Sequence, residues 1–420
     1  MVKNKVFNML FSVFIVLFLL TITACKNNDK PAPKDYEITH EEEFGGIYIK
    51  STIDDFNNLG FEYGDSVDIV FSNGKELKDI PYYNGYYTQN GEKLLVAYPG
   101  YPYIKACINN GNDLWIELGF GELADNTKVT ATITLNEEDK YSDIQKARDI
   151  HYLDDRSLYT NDEVFANFRS LKGGNLKENF IYRSASPCDN QHNRAKYVDN
   201  LIKENNVGYI IDLADNDTKI SGYIAKDDFD SDYFLSLYEN NKVLPLALNM
   251  NFSSDYFKGQ VALALKAIIE NDGPFLVHCT EGKDRTGFMC VLIEALSGAT
   301  YNEIVEDYMT TYFNYYAITK AFDDTRYTTI VENVLNPMIK EIVGNDVTLN
   351  KTTVLETNAS NYLKQNNLLT DEEIAALKEA LTGSSSTNYN ITYENLRGAT
   401  SPNTITSFNE SSSEITLHCW

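Results

Sequence analysis

Positive charge is scarce in this sequence. Its 420 residues include 36 Lys and Arg against 61 Asp and Glu, a formal net charge of −25 at pH 7. A chain this acidic is a poor ligand for nucleic acid and for anionic membrane surfaces. Any phosphate it binds must be drawn by a local focus of positive groups, and the overall acidity serves solubility. Histidine is scarcer still, with five residues and none at a metal-ligand spacing, so no metal and no other cofactor is expected. Cysteine numbers six, too sparse for the disulfide framework of a small exported domain. No internal repeat is evident, which argues against a solenoid or array.

The amino terminus is a different matter. Lys3 and Lys5 precede a nearly unbroken apolar run from Val6 to Ile22, and Ile22-Thr23-Ala24-Cys25 then matches a bacterial lipobox. Residues 1–24 therefore read as a lipoprotein signal peptide, with Cys25 diacylated as the new terminus and 25–36 as a polar linker. The alternative is an uncleaved membrane anchor. Either way the rest of the chain is expected at the cell membrane, facing outside the cytoplasm, tethered through its N-terminal lipid in the first case.

From 37 to 140, short strand-like runs recur at Ile47–Lys50, Ser66–Phe71, Leu94–Ala97, Leu114–Leu118 and Lys128–Leu135, with turn dipeptides Asn73-Gly74, Asn90-Gly91 and Asn110-Gly111. This predicts a small all-β barrel or sandwich. The Tyr82–Tyr87 segment can bind a sugar or a partner by stacking, or be plain sheet surface. From 145 to 383, helical and strand-like patterns alternate: Tyr197, Val198, Leu201 and Ile202, then Val207 to Leu213, then Phe257, Val261, Leu265 and Ile268. That alternation predicts an α/β domain, a parallel sheet flanked by helices with its site at a strand's C-terminal end. After Thr300 the pattern is mostly helical. Thr370-Asp371-Glu372-Glu373 is a capping box opening a last helix that stops at Gly383. A Ser/Thr/Asn-rich tail, 384–420, is expected to be poorly ordered.

The chemistry is concentrated in His278-Cys279-Thr280-Glu281-Gly282-Lys283-Asp284-Arg285-Thr286-Gly287. An apolar strand pattern ends at Val277, and a helical pattern with Phe288, Val291, Leu292 and Ala295 on one side follows. The loop thus joins a strand end to a helix start, where unpaired N–H groups and the helix dipole favour an anion. The field that holds a phosphate dianion also favours thiolate over thiol, making Cys279 the expected nucleophile. The backbone of Thr280, Glu281, Gly282 and Lys283 is placed to cradle the phosphate. Arg285 can clamp two phosphoryl oxygens with its planar fork. Thr286 can donate to the sulfur and so make it a better leaving group. His278 orders the loop, and Gly282 and Gly287 permit a tight backbone. Cys290 reads as core and Cys188 as a buried thiol.

This loop resembles the signature of the protein-tyrosine phosphatases, and its Gly-Lys-Asp-Arg-Thr-Gly ending looks like an atypical bacterial branch acting on phosphotyrosine and phosphoinositides. Asn167-Phe168-Arg169-Ser170-Leu171-Lys172-Gly173-Gly174 is similar to that branch's opening motif, with Ser170 and Lys172 as departures. Ile181-Tyr182-Arg183-Ser184-Ala185 is similar to its following strand. Ile210-Ile211-Asp212-Leu213 is similar to the next, with Ala214 where the family usually has arginine. The resemblance implies a phosphomonoester hydrolase with a cysteinyl-phosphate intermediate, and Asp284 as general acid, since Leu244–Asn251, where classical relatives carry the acid, has no carboxylate. Asp255, Asp215 and Asp217 are the other candidates. It further implies that Lys283 reads a second phosphate or head group, a role Arg194 can share from the rim. Partners are then a phosphotyrosine protein, a phosphoinositide or an inositol phosphate. Inositol-polyphosphate phosphatases of this chemistry also pair the loop with a small β-domain. The alternative of another class is a non-catalytic surface binding protein.

Overall fold

The alternation in Thr130–Glu137 shows how the first half of the chain folds. Ala131, Ile133 and Leu135 point inward and the intervening threonines point out, the two-residue period of a half-buried strand. A computed structural model describes residues 31–123, 127–151 and 153–383. The expected signal peptide at 1–24, Cys25 as the expected lipidation position, and the 384–420 tail lie outside these residues. No helix among those described is long and apolar enough to cross a membrane.

Seven strands close into a barrel: β1 (Lys34–Glu41), β2 (Gly46–Ile49), β3 (Ser66–Phe71), β4 (Glu76–Tyr83), β5 (Lys93–Val96), β6 (Ile104–Ile108) and β7 (Thr130–Glu137). Their order is β1-β2-β6-β5-β4-β3-β7, and β1 pairs with β7 to complete the circuit. Closure removes the free sheet edges. Asn73-Gly74 forms the β3–β4 turn, with Gly74 at φ 82°. The strand expected at Leu114–Leu118 is instead a one-turn helix, Leu114–Glu117. Asp113 caps it by accepting from the Trp115 N–H, and Leu114 alone enters the core while Ile116 faces out. Neither β1, β4 nor β6 was evident beforehand. The first two mix charged and apolar residues too irregularly for a clean period.

The second unit holds a five-stranded sheet in the order β11-β10-β12-β9-β8, from β8 (Arg169–Ser170), β9 (Ile181–Ser184), β10 (Tyr209–Asp212), β11 (Val243–Pro245) and β12 (Phe275–His278). Strands β9 to β12 are parallel; β8 runs antiparallel at the edge. Helices cover both faces. Leu276 and Ile210 pack with Val198, Leu201 and Phe234 on one side. Val277 and Ile211 pack with Val261, Leu265 and Phe288 on the other. The helix Asp284–Leu296 is buried from Thr286 to Leu296, so its apolar pattern is not the one-sided stripe expected. It is the central helix of the domain, walled in by the sheet and by the helices after Thr300. The capping box at Thr370 is present, and Gly383 stops that helix at φ 72°.

The two units meet through turns of the barrel. Asn90 Nδ2 donates to Met250 O at 3.0 Å, Gln89 Nε2 to Asn333 O at 2.9 Å, and Asn251 Nδ2 to Asn110 O at 3.5 Å. The barrel therefore touches the segment that follows β11, the stretch where a classical acid loop would lie.

Candidate active site

Strand β12 ends the central position of the sheet and delivers Cys279 to its C-terminal edge, where the sulfur-bearing residue is 3% exposed. The loop that follows is shaped by what holds its carbonyls. Ser186 N donates to Thr280 O at 3.1 Å, Tyr315 Oη to Glu281 O at 2.7 Å, and Arg183 Nη2 to Gly282 O at 2.8 Å. Asn167 Nδ2 adds a bond to Gly282 O at 3.4 Å. With the carbonyls engaged, the backbone N–H groups of Gly282, Lys283 and Asp284 donate to no acceptor among the described residues. Gly282 has φ +67°, and a Cβ there would lie 2.1 Å from Ser184 O. A Cβ on Gly287 would lie 2.7 Å from the Tyr308 ring. Both glycines are thus required by close approach.

Arg285 opens the helix, with Nη1 on Leu248 O at 3.1 Å and Nη2 on Thr280 Oγ1 at 3.3 Å. Its fork is therefore at the loop and also holds the segment after β11. Lys283 Nζ lies 2.8 Å from Glu281 Oε2 and 3.8 Å from Asp284 Oδ2. Burial acts to lower its pKa, but Glu281 and Asp284 outweigh that and hold it well above the ordinary value. Thr286 Oγ1 is buried and makes no hydrogen bond among the described residues, so the expected bond to the Cys279 sulfur is not formed in this arrangement.

Two supports lie under the loop. Beside β9, Asp307 is shared by Arg169, whose Nε is 2.8 Å from Oδ1, and by Arg183. Beside β10, Asp212 Oδ1 accepts from the N–H groups of Ala214 and Asp215, while Oδ2 is unpartnered and 3.9 Å from His278 Nε2. Burial pushes the Asp212 carboxyl up to about 6. Burial and then Asp212 push Asp215 up to about 6 as well. Burial drives His278 down to about 4, so its imidazole is neutral near pH 7, with Nδ1 3.4 Å from Cys279 O. Cys188 is buried beside them, its thiol raised by burial and then by Asp212. Cys188, Asp212 and Asp215 bring three possible ligand atoms within 4.8 Å of one another, the one such group among the described residues. Spacing of 24 and 27 positions in the chain concealed it.

The carboxylate candidates separate clearly. Asp284 lines a cleft between barrel and sheet domain. Asp255 is exposed in the first turn of the helix Asp255–Glu270. Asp217 accepts from Tyr238 Oη at 2.9 Å. Asp215 is 2% exposed and accepts from Tyr223 Oη at 3.2 Å, so it is buried behind the loop. Arg194 requires correction. It is 2% exposed, bonded to Phe165 O and Asp154, and stacked between Phe165 and Tyr315. A guanidinium so enclosed is a packing element under Tyr315, not a rim contact. Cys290 is buried core, with burial pushing its thiol up to about 12. Tyr82 and Tyr83 are barrel core, whereas Tyr86 lines the cleft.

Residues 163–383, more than half of the chain, match the family model described as the tyrosine phosphatase family. Among solved structures, the core catalytic domain of the PP-IP phosphatase SIW14 from S. cerevisiae, in complex with citrate, is similar at 19% identity. It covers 41% of this chain and 94% of its own, with a TM-score of 0.23. A second structure of the Siw14 catalytic core has 18% identity, covers 49% and 94%, and has a TM-score of 0.24. No curated protein matches the chain.

Proposed function

The chain belongs to the tyrosine phosphatase family, and from that premise we propose that it hydrolyses phosphomonoesters in two steps through a phosphocysteine at Cys279. The observation that carries this is the loop itself: Cys279 and Arg285 stand at its ends, and Ser186, Tyr315, Asn167 and Arg183 hold its carbonyls away from its free N–H groups. Arg285 exchanges Leu248 O for the phosphoryl oxygens. The Cys279 sulfur forms a bond to phosphorus as the bond to the leaving oxygen breaks. Asp284, the candidate carboxylate that faces the cleft, gives its proton to that oxygen. Water then attacks phosphorus, the sulfur–phosphorus bond breaks, and Asp284 recovers a proton from the water. Thr286 donates to the departing sulfur, and the free loop N–H groups bind the equatorial oxygens throughout. No metal enters any step.

The first substrate reading is phosphotyrosine. A second, an inositol phosphate or phosphoinositide, is favoured by the size of the cleft beside Asp284, about 1190 Å³, which a tyrosine side chain does not fill. Placement in the atypical bacterial branch rests on Gly282-Lys283-Asp284-Arg285-Thr286-Gly287. Lipidation at Cys25, with the enzyme held at the membrane outside the cytoplasm, rests on Ile22-Thr23-Ala24-Cys25; labelling with a fatty-acid analogue should be lost in Cys25→Ala.

The deciding experiment is kinetic. Cys279→Ser should lower kcat by about 10⁴-fold or more while vanadate still binds. Asp284→Asn should slow phenyl phosphate far more than p-nitrophenyl phosphate, whose leaving group needs little protonation. Turnover surviving in Cys279→Ser defeats the cysteine mechanism. Loss of the protonated-acid limb in Asp255→Asn, with that limb retained in Asp284→Asn, moves the acid to Asp255.

A further inference from the structure

The cleft that Asp284 enters is not a feature of the sheet domain alone. One wall is the barrel, with Phe44, Tyr86, Tyr98, Tyr101 and Lys105; the other includes Met250, Phe252, Asn336 and Lys340. Its volume, about 1190 Å³, exceeds the roughly 300–1,000 Å³ of common small-molecule sites. The barrel wall is an aromatic shelf. Tyr98 is 46% exposed and packs 5.8 Å from the Tyr86 ring and 5.4 Å from the Tyr101 ring. Behind it, the ammonium of buried Lys105 lies 5.5 Å from the Tyr86 ring, 4.9 Å from the Tyr101 ring, and 3.1 Å from Glu41 Oε2. The lysine and glutamate neutralise each other and hold the tyrosines in place.

Among the charged side chains that line this cleft, Lys105, Asp284 and Glu341 have ion-pair partners in Glu41, Lys283 and Lys258, whereas Arg148, Lys340 and Glu332 have none among the described residues. Of the two cations left unpaired, Arg148 is the one held against an aromatic ring. It ends the helix Ser142–Arg148 that leaves the barrel, its guanidinium rests 5.4 Å from the Tyr87 ring centre, and it lines the cleft. Among the described residues it has no ion-pair partner. The adjacent Asp149 lies 3.3 Å from His151 instead. Burial and then Asp149 push the Tyr87 hydroxyl up to about 12, and Arg148 opposes that rise. Arg148 lines the same cleft as Asp284 of the phosphate loop. In a chain of net charge −25, an unpaired guanidinium held by a ring beside a phosphate loop is a place for an anion.

We propose that the barrel forms the second half of the substrate site: Tyr98 carries the ring of the leaving group, and Arg148 binds a second anionic group, phosphate or carboxylate, on that ring. This rests on the phosphatase reading and adds to it the chemistry of the leaving group, a ring alcohol bearing another anion. Both an aryl ring and a cyclitol ring have that chemistry. Arg148 lies outside the residues that match the family, so the selectivity belongs to this two-domain arrangement.

The test uses the full chain and four substrates: phenyl phosphate, 4-carboxyphenyl phosphate, an inositol monophosphate and an inositol bisphosphate. Within at least one ring class, kcat/KM should favour the substrate with the second anion by about tenfold, through KM. Arg148→Gln should bring that ratio to about one, Arg148→Lys should restore part of it, and Tyr98→Ala should raise KM within the same class. The class showing the larger Arg148→Gln loss identifies the ring. A ratio retained in Arg148→Gln, or absent from the parent in both classes, overturns the proposal. Thermal unfolding of each variant separates misfolding from lost recognition. If the parent hydrolyses none of the four, the phosphatase reading is what fails. Titration of Cys279→Ser with 4-carboxyphenyl phosphate and inositol bisphosphate, with and without Arg148→Gln, then still decides the cleft: weaker binding on loss of Arg148 supports it, and equal binding overturns it.

Discussion

Beneath the phosphate loop on the β9 side, Asp307 is shared between Arg169 and Arg183. On the β10 side, Asp212 and Asp215 sit with Cys188 and a neutral His278, and Asp212 Oδ2 and Asp215 Oδ2 have no hydrogen-bond partner among the described residues. Both groups are buried and both touch the loop, yet burial has opposite outcomes. Burial of Asp307 acts to raise its pKa, but the two arginines outweigh it and hold the carboxyl below the ordinary value. Asp212 has no cation beside it, only the neutral His278, and Asp215 has only the exposed Lys219, 3.6 Å from Oδ1; both rise to about 6. A buried carboxylate stays charged only where matched charge and hydrogen bonds replace water; otherwise it takes a proton. The paired cluster can therefore fix the Gly282 carbonyl rigidly through Arg183, while the weakly paired one changes charge within the range of ordinary assays.

The largest break in that contrast is Asp307→Ala. It leaves two buried guanidiniums without their carboxylate and should cost about 3–5 kcal/mol of stability, read from denaturant midpoints. A loss near 1 kcal/mol would mean that water reaches the arginines and that the cluster is not a closed support.

Asp212→Asn should act in the other direction. The Asp212 carboxyl rises from an ordinary 3.8 to about 6 in the folded chain. The folded state therefore binds more protons than the unfolded state between those values, and stability falls as pH rises through that window. Below about 4 the penalty is absent; above about 6 it is complete. The amide keeps Oδ1 as acceptor for Ala214 and Asp215 and carries no charge. The variant should match the parent near pH 4 and exceed it by about 3 kcal/mol at pH 8. His278, lowered to about 4, contributes the opposite slope in both proteins, so the difference between the two curves is the informative quantity. A constant offset across pH would show that Asp212 does not titrate in this window.

The smallest effect is expected at Thr286, whose buried hydroxyl makes no hydrogen bond. Thr286→Val should leave stability within about 1 kcal/mol of the parent, since no bond is lost. It should nonetheless slow the second chemical step, seen as a phosphoenzyme that accumulates in rapid-quench experiments. A large loss of stability would place the hydroxyl in the loop's support instead of its chemistry.

Much of the sheet domain was open to reading in one dimension. β12, β10, the helix Ala195–Glu204 and the helix Asp255–Glu270 coincide closely with apolar periods in the chain, because each buries a face set by its own residues. The barrel was less open. Leu114–Glu117 is too short for a period to distinguish strand from helix, and the Asp113 cap decided it. Arg194 looks like a surface cation in sequence, and only the closure of Phe165 and Tyr315 around it makes it a packing residue.

The sequence by itself determined the reactive unit. Cys279, Gly282, Asp284, Arg285 and Thr286 are joined by so few bonds that the covalent chain sets their mutual reach, and a strand before and a helix after leave the loop N–H groups unpaired. Everything that tunes that unit was decided by the tertiary structure. Asp307 is 138 positions from Arg169, Cys188 meets Asp212 and Asp215 from another strand's end, and Arg148 reaches the cleft from outside the sheet domain. Burial, pairing and charge are properties of distance through space, and between residues this far apart in the chain only the packed core sets that distance.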